Sequence, residues 1–195
     1  VGMLALLMLI PLLTVEDLIR ERHGLEGEAR QRIAERWGGA QVVGGPVLVV
    51  PVRKQIQSEK GWISADEDRY VLPEKLAVEG SLATEIRRYG IYAMPIYTSS
   101  LSMSGHFNGE ALASLSTHGG EPQWSQAVLR VPIADVRGIR SLSTITLDGD
   151  PLQFGPGTGG VGGIAATEVA WPAAASIDRQ MHEFSFDMRL AGTAI

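Results

Sequence analysis

The chain has 195 residues, 17 Lys plus Arg against 22 Asp plus Glu, a formal charge of -5 and no cysteine. That balance excludes a nucleic-acid binder, which concentrates basic charge. The missing cysteine excludes disulfides, thiol nucleophiles and thiolate metal sites. Length is ample for one sizeable core, and 23 Gly, 10 Pro and 6% aromatics suit short strands joined by turns.

Residues Val1 to Val15 (VGMLALLMLIPLLTV) carry no charge; Glu16 is the first ionised side chain. Fifteen residues of helix reach roughly 22 Å, short of the roughly 30 Å hydrocarbon core that takes about 20 residues to cross. The run is therefore read as the exit half of a transmembrane helix, with residues 1–15 in lipid. A cleaved signal would end in a small-x-small site, and none follows Pro11, Leu12, Leu13 and Thr14. A buried core helix is the other alternative. Beyond Thr14, Val15, Leu18, Ile19, Arg22, Leu25, Ala29, Ile33 and Trp37 recur at helical spacing, a stripe expected to pack on the domain that follows. Glu16 with Arg20, Glu26 with Arg30 and Glu28 with Arg32 are acid-before-base pairs four residues apart. Gly24 and Gly27 predict a bend, and Gly38-Gly39 a stop. The domain boundaries that result are 1–37 for the membrane and juxtamembrane helix and 38–195 for a β-rich domain.

Val47 to Val52 (VLVVPV) predicts a strand covered on both faces, with Pro51 at an edge or a bulge. Arg53 to Arg69 reads as a long hairpin or an excursion, and Leu76, Val78, Gly80 and Leu82 alternate as a half-buried strand. In the next segment Tyr92, Met94 and Ile96 share one parity, whereas Leu101, Met103 and Phe107 share the other, which predicts a bulge or bend near Ser99. Asn108-Gly109 suits a turn and Glu110 to Thr117 a short helix. Leu129, Val131 and Ile133 face together, and Asp148-Gly149 suits a two-residue hairpin. Gly155 to Gly163 (GPGTGGVGG) looks like a flexible connector or a partner-binding loop. Phe184, Phe186, Met188 and Leu190 alternate with polar residues in the clearest amphipathic strand. The fold class predicted is mainly β: a sandwich-like antiparallel domain of about eight to ten strands behind a long N-terminal helix that continues a transmembrane span.

No motif names a catalytic site. His23, His106, His118 and His182 are scattered, without zinc-ligand spacing. No GxSxG elbow accompanies Ser114, Ser141 or Ser143, and the acids at 66–68 and at Asp148 and Asp150 read as solvated loop charges. The expectation is no catalytic, metal or cofactor residue. Asp135 and Arg137 flank one residue and point the same way on an extended chain, with Gly138 permitting a tight turn beyond. They read as an ion-paired corner, or as recognition of a peptide or envelope component.

The order of signals resembles the CreD family of inner membrane proteins. The resemblance rests on the apolar run, Trp37-Gly38-Gly39, Gln41 to Pro51, Leu72-Pro73-Glu74, the Arg87 to Tyr92 region with Gly90 and Tyr92, Ile133 to Ile139, Phe154 to Gly157, and Phe184 to Phe186 with Leu190 and Gly192. Tyr89 departs from the basic or polar residue expected before Gly-Ile-Tyr. The resemblance implies the periplasmic region of a multi-pass inner membrane protein, tied to envelope integrity and to responses to envelope stress and β-lactams, with no established catalytic activity. Asp135, Arg137, Gly138, Gly90 and Tyr92 thus match motifs as candidate interaction or structural residues. Partners implied are membrane lipid and either the family's C-terminal spans or another envelope protein, with no nucleic acid. Two other functions are weighed. An envelope hydrolase predicts a cleft where a Ser or carboxylate meets His106 or His182, and a ligand-sensing module predicts an enclosed apolar cavity.

Overall fold

The computed structural model describes residues 2–58, 61–117, 120–172 and 181–193, with side chains from residue 15 onward except that of residue 58. His118 and the side chains of the apolar run lie outside the described set. A single helix α1 (Gly2–Trp37) leads into strands β1 (Val47–Ser58), β2 (Gly61–Val71), β3 (Lys75–Tyr89) and β4 (Tyr92–Asn108). A short helix α2 (Gly109–Ser114) follows, then β5 (Glu121–Pro122), β6 (Val128–Pro132), a 3-10 turn at Val136–Gly138, β7 (Ile139–Leu142) and β8 (Ile145–Leu147). The remaining strands are β9 (Asp150–Leu152), β10 (Gly155–Val161), β11 (Ile164–Ala170) and β12 (Met181–Thr193).

These strands form two antiparallel sheets, ordered β10-β11-β6-β1-β2 with β5 also on β1, and β3-β4-β12-β8-β9 with β7 also on β12. Alternation dictates which side chains meet between them. Leu48, Val50, Leu129 and Val131 come from the first sheet, and Phe107, Phe184, Phe186, Met188 and Leu190 from the second, into one core. Phe107 sits at its centre, edge-on to Trp171 at 6.0 Å and 5.4 Å from Phe184. The fold is mainly β, as the alternating strands predict, with twelve strands among the described residues rather than eight to ten. The extra ones are two- to four-residue pieces whose pattern is too short to read.

Four local expectations are corrected. β4 has no bulge near Ser99; it keeps unbroken register with both β3 and β12. Its apolar parity changes because its two halves are covered on opposite faces. Met94 and Ile96 pack under Ile33 and Trp37 of α1, whereas Met103 and Phe107 point into the inter-sheet core. Pro51 lies in a strand with neighbours on both sides, yet no ladder donor is missed. β6 pairs β1 only through Val49, β5 begins at Val52, and Pro51 sits in the gap while its carbonyl accepts from Gln123 N–H at 2.8 Å. Gly155 to Gly163 forms the hairpin of β10 and β11, turned at Gly162-Gly163, both at positive φ. Finally, the helical stripe does not pack along its length: Ala29 and Ile33 are buried, but Val15, Leu18, Ile19 and Leu25 are exposed. α1 runs as one continuous helix past Gly24 and Gly27.

Candidate functional site

The five motif residues separate into two places where α1 touches the β body. Asp135, Arg137 and Gly138 belong to a joint at the C-terminal end of the helix. Gly90 and Tyr92 belong to the tip of the β3–β4 hairpin, farther back along it.

At the joint, α1 ends because Gly38 adopts φ 88°, a conformation that favours glycine, while its N–H still reaches Ala34 C=O at 2.8 Å. The strand β12 closes over this exit: Thr193 N–H donates to Gly39 C=O at 3.3 Å and Thr193 Oγ1 to Gly38 C=O at 3.2 Å. From the other side, Asp135 Oδ2 accepts Gly39 N–H at 3.0 Å. Asp135 also caps the 3-10 turn by accepting Arg137 N–H at 3.0 Å, and it takes a forked contact from the Arg137 guanidinium, Nε at 2.9 Å and Nη2 at 2.8 Å. This guanidinium, opposed in part by burial and aided by the Gly39 amide, holds the Asp135 carboxyl well below the usual carboxylate range. The pair is therefore a half-buried acid under an exposed arginine lid, and its acid binds the helix exit.

Three backbones converge here with no room for side chains. A Cβ on Gly138 would lie 2.2 Å from Gln41 Nε2 and 2.4 Å from Ala191 O, and one on Gly192 would lie 2.5 Å from the Tyr97 hydroxyl. Gln41 threads the gap, its N–H donating to the Tyr97 oxygen at 3.1 Å and its side chain to Ala191 C=O at 3.4 Å. Trp37 is clasped between the guanidinium groups of Arg87 and Arg140, 5.0 and 4.8 Å from its ring, and Arg140 also donates to Arg36 C=O at 3.0 Å, completing the helix cap. Gln41, Tyr97, Arg140 and Thr193 were not singled out from sequence. Only a glycine inside an otherwise regular strand, Gly192, signals such a close approach.

At the hairpin tip, Tyr89 and Tyr92 face each other across Gly90-Ile91, and Gly90 has φ 60°. Tyr89 accepts a hydrogen bond from Arg32, whose guanidinium also lies 5.5 Å from the Tyr89 ring centre. Arg32 thus turns to the hairpin rather than to Glu28. The Tyr92 hydroxyl donates to Arg22 C=O at 3.4 Å. Tyr89 therefore fills a structural place where a basic or polar residue was expected.

The features sought for hydrolysis fall elsewhere. His182 Nδ1 lies 2.7 Å from Asp148, but the ring is 1% exposed, edge-on to Trp171 at 5.4 Å, and among the described residues its Nε2 has no hydrogen-bond partner. His106 Nε2 lies 3.3 Å from Glu74, in an open hollow of about 520 Å³ shared with Lys75, Ser104, Glu183 and Ser185. Carboxylates meet both imidazoles, as the hydrolase alternative requires, but among the described residues neither ring is hydrogen-bonded to a serine hydroxyl. The larger hollow, about 800 Å³, is an open groove between Val136, Ile139, Leu142 and Phe154 and the backbone of β10, not the enclosed cavity of a sensing module. No group of three or more His, Asp or Glu able to hold a metal occurs among the described residues.

The joint brings together Trp37-Gly38-Gly39, Asp135 to Gly138 and Leu190 to Gly192, stretches separated by up to 155 residues. That convergence gives a physical reason for motifs that look unrelated in sequence. A curated relative, inner membrane protein CreD of Escherichia coli strain K12, is 28% identical over 161 residues, covering 79% of this chain and 35% of the relative. The chain thus spans about a third of the length of the curated relative it matches. No solved structure matches. No helix among the described residues is long and apolar enough to cross a membrane, and the side chains before residue 15 are not among those described. The sequence model of the family described as inner membrane protein CreD matches residues 1–195, from the apolar run to the closing strand, and the chain belongs to that family.

Proposed function

We propose that this chain is the periplasmic region of a multi-pass inner membrane protein, anchored in lipid through residues 1–15, with a non-enzymatic role in envelope integrity and in the response to envelope stress or β-lactams. The observation that carries the reading is the joint. A free-standing β sandwich has no use for a helix on which Val15, Leu18, Ile19 and Leu25 stand exposed, whereas an anchored one needs that helix fixed at a set angle. Here the exit is held by Asp135, Thr193, Arg140 and a glycine-packed junction. A chain continuing along the course of β12 past Thr193, which pairs with Ile96, would run back beside α1. Further spans of the longer family protein are thereby supported as the partner of this region, with another envelope protein as the alternative.

Topology reporters test this directly in the full-length protein. Alkaline phosphatase inserted in the turn at Asp148-Gly149 is expected to be active and a fluorescent protein there dark. Fluorescence at that position, or recovery of the full-length protein in the soluble fraction, overturns the assignment. The hydrolase reading is tested with His106→Ala, because His106 lines an open hollow and lies 3.3 Å from Glu74. Retention of the envelope phenotype in that variant supports the non-enzymatic role, and its loss in a folded variant overturns it.

A further inference from the structure

We infer that the tip of the β3–β4 hairpin is a second membrane contact, seated in the headgroup layer of an anionic bilayer beside α1. The inference rests on the anchored reading above and adds a site that reading does not require. β3 is an edge strand with all fifteen residues exposed. On its face opposite α1, apolar exposure rises steadily towards the tip, from 38% at Leu76 through 51% at Val78 and 65% at Leu82 to 68% at Ile86, and Ile91 in the turn is 80% exposed. A tip facing water should carry few apolar side chains; this one keeps Leu82, Ile86 and Ile91, 65%, 68% and 80% exposed.

Direction supplies the occupant. Ile33 and Trp37 cover Met94 and Ile96, while Arg22 meets Tyr92, so the hairpin runs along α1 towards the helix's apolar end. At about 1.5 Å per residue, Arg22 stands roughly 5 Å beyond Ile19 and roughly 10 Å beyond Val15. A headgroup layer is roughly 5 to 8 Å deep on each side of the hydrocarbon core. Val15, Leu18 and Ile19 are exposed on α1, so lipid that covers them brings its headgroups level with the tip. The tip has the composition such a layer accepts: two tyrosines flanking one bare isoleucine, with Arg88 on the uncovered face next to Ile86. A second copy is a poor occupant. Antiparallel pairing of two β3 edges would point the two α1 helices in opposite directions, away from a common bilayer.

These 195 residues contain no cysteine, so once any cysteine elsewhere in the full-length protein is replaced by serine, single labels can be placed without background. Ile91→Cys, Ile19→Cys and Ile63→Cys, each carrying an environment-sensitive fluorophore, are reconstituted as the full-length protein in phosphatidylethanolamine–phosphatidylglycerol vesicles with headgroup spin-labelled lipid as quencher. Ile63 lies near the end of the other long hairpin and serves as the control position. The label at Ile91 is expected to be quenched about threefold more than at Ile63 and to gain emission. Quenching at Ile19 but not at Ile91 overturns the tip contact and leaves the anchor standing. Equal, weak quenching at all three positions overturns both. As a second measurement, Arg88→Glu in the Ile91→Cys background is expected to reduce the quenching, and unchanged quenching overturns the electrostatic part of the contact.

Discussion

The joint and the hairpin tip are both places where glycine, tyrosine and arginine meet α1, yet they are built on opposite principles. At the joint, Gly38, Gly138 and Gly192 let three backbones touch, and the Gly38 and Gly39 carbonyls and the Gly39 amide have partners. At the tip, Gly90 serves only to turn the chain, with nothing within 4 Å of where a Cβ would stand, and the neighbouring isoleucine is bare. One contact is fixed by steric exclusion, the other by a few polar bonds along an otherwise uncovered helix. The same residue types therefore carry different energetic weight, and substitution separates them.

The largest effect is expected at Gly138. Its Cβ would overlap a carbonyl oxygen and the Gln41 amide, so Gly138→Ala should cost about 3 kcal/mol or more in urea unfolding, because backbone cannot yield as a flexible side chain can. If instead that variant unfolds like the parent, the joint is not close-packed. Next comes Asp135→Ala, which strips the partner from the Gly39 amide and from Arg137. A loss of about 2 kcal/mol is expected, the scale of hydrogen bonds to a charged group that leave a donor behind.

The same acid sharpens the comparison through pH. The carboxyl of Asp135 is depressed in the folded state, chiefly by Arg137. Its contribution is therefore fully present above the unfolded value, near 3.9, and fades as pH falls through the lower folded value. The stability gap between the parent and Asp135→Asn should be constant at neutral pH and narrow below about pH 4. A gap that does not change between pH 7 and the acid limit would mean the carboxylate is not what binds the helix exit.

A smaller effect is expected at the tip. Gly90→Ala introduces only a strained left-handed residue, about 1 kcal/mol, with no clash. The smallest change has the opposite sign. Gly24→Ala sits in open space on a continuous helix and should raise helix stability by up to about 1 kcal/mol, measured by circular dichroism on heating. Were Gly24→Ala to destabilise, α1 would be bent there in the working protein.

Much of the fold is legible in residue order. The inward set Phe184, Phe186, Met188 and Leu190 needs only a period of two, and Asp148-Gly149 names its own turn, with both residues at positive φ. The ion-paired corner of Asp135 and Arg137 is readable too, although it forms where Asp135 caps a 3-10 turn rather than along an extended chain. What misled was β4, where a change of parity looked like a bulge. A strand's pattern records whether each side chain is covered but not by what, so a helix on one face and a sheet on the other mimic a kink. The Gly-rich stretch misled for a related reason. Glycine composition suggests looseness, but Gly157 and Gly160 leave room for the carbonyls of Ala166 and Ile164 across the hairpin.

Sequence alone determined the elements: an uncharged run passing into an amphipathic helix, a stop at Gly38-Gly39, strands of period two, and turns where Asn, Asp or Gly permit them. These depend on neighbours a few residues apart, and local sterics and hydrophobic alternation suffice to specify them. Only the tertiary structure decided that the helix exit, the Asp135 corner and the end of β12 form one joint, and that β3 stays uncovered as it follows α1. Those outcomes depend on which surfaces meet across as many as 155 residues, and no short-range pattern encodes that.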